Sequence, residues 1–143
     1  MKIIRDLLFI STFLFISCSS NKMRIKGMCQ ELNINIPSEN YTEIKNEVDE
    51  AGPDFTINII LKLDKNNLDN LTRQIISSPY FNRPEINGVN SDYTKLLKDI
   101  NRRGIWKRNN IGFEFVDYGK TSEPVTAYLD TTKQTLEYTF VHL

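Results

Sequence analysis

The run Phe55-Thr-Ile-Asn-Ile-Ile-Leu-Lys-Leu63 constrains the fold of this chain more than any other stretch. Phe55, Ile57, Ile59, Leu61 and Leu63 recur at every second residue, so an extended backbone places all five on one face. A helix would scatter them around its axis. One strand with so much apolar area on one side needs other strands beside it and a layer packed over it, and the rest of the chain supplies both. Ile111, Phe113 and Phe115 alternate with Gly112 and Glu114, and Val125, Ala127 and Leu129 alternate with Thr126 and Tyr128. Leu136, Tyr138 and Phe140 follow the turn Asp130-Thr131-Thr132-Lys133, completing a hairpin. Alanine, the best helix former, occurs only at 51 and 127, so the composition leans toward sheet.

Upstream, Tyr41 to Glu50 admits two readings. Ile44 and Val48 have helical spacing, while Ile44, Asn46 and Val48 suit a half-buried strand. The strand is favoured because Ala51-Gly52-Pro53-Asp54 looks like the turn of a hairpin. Leu32, Ile34 and Ile36 alternate with Asn33 and Asn35, which suggests a short strand stopped by Pro37-Ser38-Glu39-Asn40. Asp64 fits a helix N-cap, followed by Leu68, Leu71, Ile75 and Ile76 as an apolar stripe that ends before Pro79. Tyr80 to Val89 reads as loop. Ser91 starts a second short helix carrying Tyr93, Leu96, Leu97 and Ile100 and ending near Gly104. The expected class is α+β, an antiparallel sheet with one or two helices packed on one face.

The N-terminus has a different character. Lys2 and Arg5 precede the apolar run Leu7 to Ile16, then Ser17 and Cys18, the charged, apolar, small-residue order of a secretory signal. The apolar run is about half the ~20 residues that cross a bilayer as a helix. Phe15-Ile16-Ser17-Cys18 resembles the lipobox of bacterial lipoproteins. The resemblance implies cleavage after residue 17, acylation of Cys18 and attachment to a membrane, and Ser19 implies the outer membrane in a Gram-negative source. It covers the signal region alone. Residues 1–17 are then the signal peptide and 18–28 the acylated N-terminus and tether, since Ser19 to Lys26 is polar and charged. A single domain follows over 29–143. Cys29, preceded by Arg24 and Lys26 with no apolar run, does not fit a lipobox and reads as a partly shielded thiol.

Removing residues 1–17 takes away Lys2, Arg5 and Asp6, leaving a net charge near −1. That balance gives no bulk attraction to nucleic acid. The length suits one domain with a real core.

No G-x-S-x-G elbow, P-loop or dinucleotide fingerprint is present, and no cofactor is expected. One histidine, His142, and two cysteines give no metal-ligand spacing. Asp64-Lys-Asn-Asn-Leu-Asp69 starts like a calcium loop without its glycine or closing glutamate, so helix capping explains Asp64 better. Glu114 and Asp117, on or near one strand, are a carboxylate pair that could in principle serve glycoside hydrolysis, which needs both groups flanking one bond, although acidic residues are common enough for such pairs to arise by chance. Glu43, Glu47, Asp49, Glu50 and Asp54 read as a solvated face. The one local feature above background is Arg102-Arg103-Gly104-Ile105-Trp106-Lys107-Arg108, where Arg102, Arg103, Lys107 and Arg108 surround the only tryptophan. Arg and Trp dominate binding hot spots. The competing reading buries Trp106 in the core with the cations in solvent.

The expectation is a non-enzymatic, lipid-anchored envelope protein that binds another macromolecule, with Arg102, Arg103, Trp106, Lys107 and Arg108 as candidate contacts. An inhibitor or immunity protein against a hydrolase or toxin, and a carrier of lipid or another small ligand, are the alternatives.

Overall fold

The computed structural model describes residues 20–37, 41–78, 80–81, 103–119 and 122–143. The signal segment, Cys18, Arg102 and the helix expected after Ser91 lie outside the described residues. Six strands form one antiparallel sheet: β1 (Tyr41–Ala51), β2 (Asp54–Leu63), β3 (Gly104–Arg108), β4 (Gly112–Asp117), β5 (Val125–Asp130) and β6 (Thr135–His142). Their spatial order is β1-β2-β6-β5-β4-β3. The described residues hold two helices, α1 over 20–32 and α2 (Lys65–Ser77), both sharing one core with the same face of the sheet. The α+β arrangement expected from the strand alternation is thus present.

The alternation works strand by strand. Ile59, Leu61 and Leu63 of β2 are buried, as are Leu136 and Tyr138 of β6, Val125, Ala127 and Leu129 of β5, Phe113 and Phe115 of β4, and Trp106 of β3. These residues form the inner face. The β1–β2 reversal uses Gly52 at φ +69 followed by Pro53. Glycine accepts the positive φ and the proline ring fixes the next one near −65°, which suits a type II′ hairpin turn. β1 carries a bulge between Glu43 and Lys45, which leaves Ile44 outside the ladder. The loop into β6 is held by Asp130, whose carboxylate accepts from the amides of Thr132 (2.9 Å) and Lys133 (2.8 Å).

α2 follows its sequence signals. The Asp64 carboxylate accepts from the Asn67 amide at 2.8 Å, and Leu68, Leu71 and Ile75 are buried. Ile76, beside that stripe, is exposed. The helix stops at Ser77, where the approach of Pro79 disfavours helical geometry for the residue before it.

α1 overturns two expectations. Residues 20–28, read as part of a tether, are helical, and Leu32, read as the start of a strand, is in the last turn. Ile25, Met28 and Leu32 are buried against the sheet, at intervals of three and four. The helix ends on Asn33, which adopts φ +52. The Asn33 amide donates to Gln30 O (3.2 Å) and the Ile34 amide to Cys29 O (3.0 Å). This is a Schellman termination with asparagine in the left-handed position, so the apparent Leu32-Ile34-Ile36 alternation spans a helix end. The reason for α1 lies in the sheet. Six strands at ~4.8 Å spacing span about 24 Å, which one helix of ~10 Å diameter cannot cover.

Candidate functional site

The residues around Trp106 do not form one surface. Trp106 is only 6 % exposed; its indole N–H donates to Leu32 O at 3.1 Å, and its ring meets Phe115 edge-on at 5.5 Å. Gly104 permits this packing, since a Cβ there would overlap the Phe115 ring and the Val116 carbonyl. Trp106 therefore closes the core under the end of α1. Arg108 lies on the same side of β3 but reaches solvent over the Phe113 ring, 5.1 Å from its centroid. Lys107 faces the opposite side of the sheet, as strand alternation requires.

Arg103 belongs to a partly buried charged cluster. It donates to both Asp117 oxygens (3.0 and 3.1 Å), and its third nitrogen lies 3.5 Å from Glu31 of α1. Asp117 also accepts from the amides of Gly119 (2.7 Å) and Val125 (2.8 Å). Tyr138 of β6 donates its hydroxyl to the other Glu31 oxygen. Burial first, then the Glu31 carboxylate, holds the Tyr138 phenol well above its usual range. Every charge here is partnered, and the cluster joins α1 to β4, β5 and β6. It is a brace. The expected basic and aromatic patch is therefore divided between the core, the brace and two opposite faces.

The carboxylate pair fails on similar grounds. Asp117 shares the inner side with Phe113 and Phe115, whereas Glu114 points to the outer side. The two cannot flank one bond. His142 stacks on Phe55 at 5.0 Å, with Glu123 3.5 Å from its Nδ1. Among the described residues no three His, Cys, Asp or Glu side chains gather as a metal site.

The outer face carries the arrangement that the sequence reading missed. The strand registers line up Lys45, Ile60, Glu137, Tyr128, Glu114 and Lys107 in one row across all six strands. Tyr128 stands at the middle, 43 % exposed, with a glutamate on either side. Beside it runs a second row, Glu47, Asn58, Thr139 and Thr126. Thr139 donates to Asn58 (3.1 Å), which donates to Asp49 (3.2 Å), so this row is pre-ordered. Both described helices lie on the other side. Tyr80, packed with Ile105, Val116 and Tyr118, covers the β3 end. The signal for this surface was the set of residues between the apolar positions, which only the register turns into neighbours.

A cleft of about 830 Å³ opens between the end of α1 and α2, lined by Lys26, Cys29, Gln30, Asn33, Ile34, Asn35 and Gln74. The Gln74 amide clasps the Asn35 backbone, accepting from its N–H and donating to its carbonyl, both at 2.9 Å. Burial pushes the Cys29 thiol up, against a weaker opposing hydrogen bond with the Ile36 backbone. A thiol so shifted is a poor nucleophile at neutral pH.

No protein-family model matches this chain, and neither a curated protein nor a solved structure matches it.

Proposed function

We propose that this protein is a lipid-anchored envelope protein, held by acylated Cys18, whose domain binds a protein partner through the outer face of its sheet. The anchor rests on the order of positive, apolar and small residues ending in Ser17-Cys18. The observation that carries the binding role is the row centred on Tyr128. A tyrosine gives large amphipathic area at low entropic cost, and the flanking Glu114 and Glu137 suit basic side chains on a partner. Lys45 and Lys107 close the row at its ends and fix register. Of the residues weighed for catalysis, Asp117 is held with Arg103 in the brace, and the Cys29 thiol is shielded. A carrier needs an enclosed apolar cavity, and the cleft between α1 and α2 among the described residues is open and lined mainly by polar side chains.

The test is in-cell cross-linking of the full-length protein, followed by detergent extraction and mass spectrometry. Tyr128→Ala combined with Glu137→Lys should reduce capture of the dominant partner by more than tenfold, while Arg108→Ala leaves it unchanged. Loss of capture on Arg108→Ala with full capture by the outer-face variant would return the binding role to the β3 cations.

A further inference from the structure

α1 crosses the inner face from one edge of the sheet toward the other. Its first turn sits on β1, where Asn21 donates to Glu43 (3.0 Å) and Arg24 to Asn46 (2.7 Å). Its last turn reaches β6 and β3, through Glu31 with Tyr138 and Leu32 with Trp106. The helical residues 20–32 measure roughly 19 Å, about four strand spacings. The chain therefore enters the domain at the free edge of β1. Ser20 is fixed there, its hydroxyl accepting from Arg24 at 2.7 Å. Only Ser19 stands between Ser20 and Cys18, and two peptide steps reach at most about 7.6 Å.

We infer that the anchored domain has no tether and rests with its β1 edge against the lipid headgroups of the bilayer. This rests on the reading of Cys18 as the acylated residue. A domain pinned within one or two residues of its acyl chains cannot swing clear of the membrane. The side it turns to the lipid is the one from which the chain emerges. That side carries the bulged Ile44, 58 % exposed, and Lys45, paired with Glu47 at 3.2 Å; the remaining acidic residues of β1 suit a zwitterionic headgroup layer over an anionic one. It also carries the outward edge of β1, eleven residues that have no neighbouring strand on that side among the described residues. Such an edge invites pairing with another chain, and a hydrated headgroup layer satisfies it instead. A second copy is the rival occupant. Edge-to-edge pairing would bring Glu43, Glu47, Asp49 and Glu50 of two molecules together, and like charges across paired strands are destabilising. Standing on its β1 edge, the sheet leaves the stretch of the row from Glu137 through Tyr128 and Glu114 to Lys107 open to the aqueous compartment, with its Lys45 end nearest the bilayer.

The experiment uses the full-length acylated protein in phosphatidylcholine vesicles, with part of the lipid brominated on the upper acyl chain. Ile44→Trp should be quenched at least threefold more than Ile111→Trp, a similarly exposed position in the β3–β4 connection at the far side of the sheet. Buried Trp106 gives a common background in both. Equal quenching of the two variants, on protein whose Cys18 acylation is verified by mass spectrometry, overturns the apposition and leaves the anchor standing. Dimer cross-links through β1 with an unquenched Ile44→Trp would replace the bilayer by a second copy. Absence of acyl chains on Cys18 overturns the anchor and the apposition together.

Discussion

The two helices pack on the same face of the same sheet by matching apolar stripes, yet α1 is also tied to the sheet by polar bonds at both of its ends. α2 is capped by Asp64 and buries Leu68, Leu71 and Ile75 on one stripe. α1 buries a stripe of the same size and spacing, Ile25, Met28 and Leu32, but carries Gly27 in its interior, and glycine costs about 1 kcal/mol there relative to alanine. Polar bonds tie both its ends. At one end Arg24 joins Ser20, Asn21 and Asn46; at the other Glu31 meets Arg103 and Tyr138, while Leu32 O accepts from Trp106. α2 is legible because the Asp64 cap marks its start beside the stripe; the polar ties of α1 come from distant strands, and no neighbouring residue announces them.

The comparison breaks most sharply in the core. Leu71→Ala in α2 and Leu32→Ala in α1 remove side chains that are both fully buried, and each should cost about 2–5 kcal/mol in urea unfolding. A cost below about 1 kcal/mol for Leu32→Ala alone would make α1 peripheral. The polar ties come next. Arg103→Ala leaves Glu31 and Asp117 without their cation in a partly buried setting and should cost about 2–3 kcal/mol. Arg24→Ala, at the more exposed end, should cost about 1 kcal/mol. Equal costs would mean that the two ends of α1 are braced alike. Asp64→Ala removes the α2 cap, for about 1 kcal/mol. It should leave hydrogen exchange in α1 unchanged.

The smallest effect is a matter of pH. The Lys133 amide first, and the Thr132 amide after it, hold the Asp130 carboxyl below its ordinary value, against the opposing effect of burial. A carboxyl whose folded pKa is depressed stabilises the fold above its unfolded pKa, near ~4, and that contribution drains away as pH falls through the lower folded value. Asp130→Asn should therefore lower Tm at pH 7 and flatten its decline below about pH 4. An unchanged acid limb would place the titration elsewhere.

Much of the sheet was readable because alternation is a local property. Phe55 to Leu63, Phe113 to Phe115, Val125 to Leu129 and Leu136 to Phe140 each announce which side chains point inward, whereas Ile111, expected in the same strand, is exposed in the β3–β4 connection, just before β4 begins at Gly112. The turns at Gly52-Pro53 and Asp130 to Lys133 announce where strands reverse. The errors fell where a short apolar pattern fits two periods. Leu32, Ile34 and Ile36 alternate like a strand, but Leu32 closes a helical stripe begun at Ile25, and Asn33 ends that helix. The basic and aromatic cluster divided between its two readings: Trp106 is in the core, as the packing reading expected, while Arg103 is drawn into the brace and not left in solvent. Residues 103, 106, 107 and 108 are neighbours in sequence, and alternation plus the brace sends them to different environments.

The sequence by itself determined that this chain builds an antiparallel sheet with one apolar face and a capped helix from Asp64. Those features depend on residues within a few positions of one another, where backbone periodicity and side-chain chemistry act directly. Only the tertiary structure decided that residues 20–32 become a second helix, that Arg103 braces and Trp106 seals the core, and that Lys45, Ile60, Glu137, Tyr128, Glu114 and Lys107 share one row. Each of these depends on strand order and register, which bring together residues that lie as much as 107 positions apart. No local pattern contains that pairing, because it is set by how the whole apolar face is covered at once.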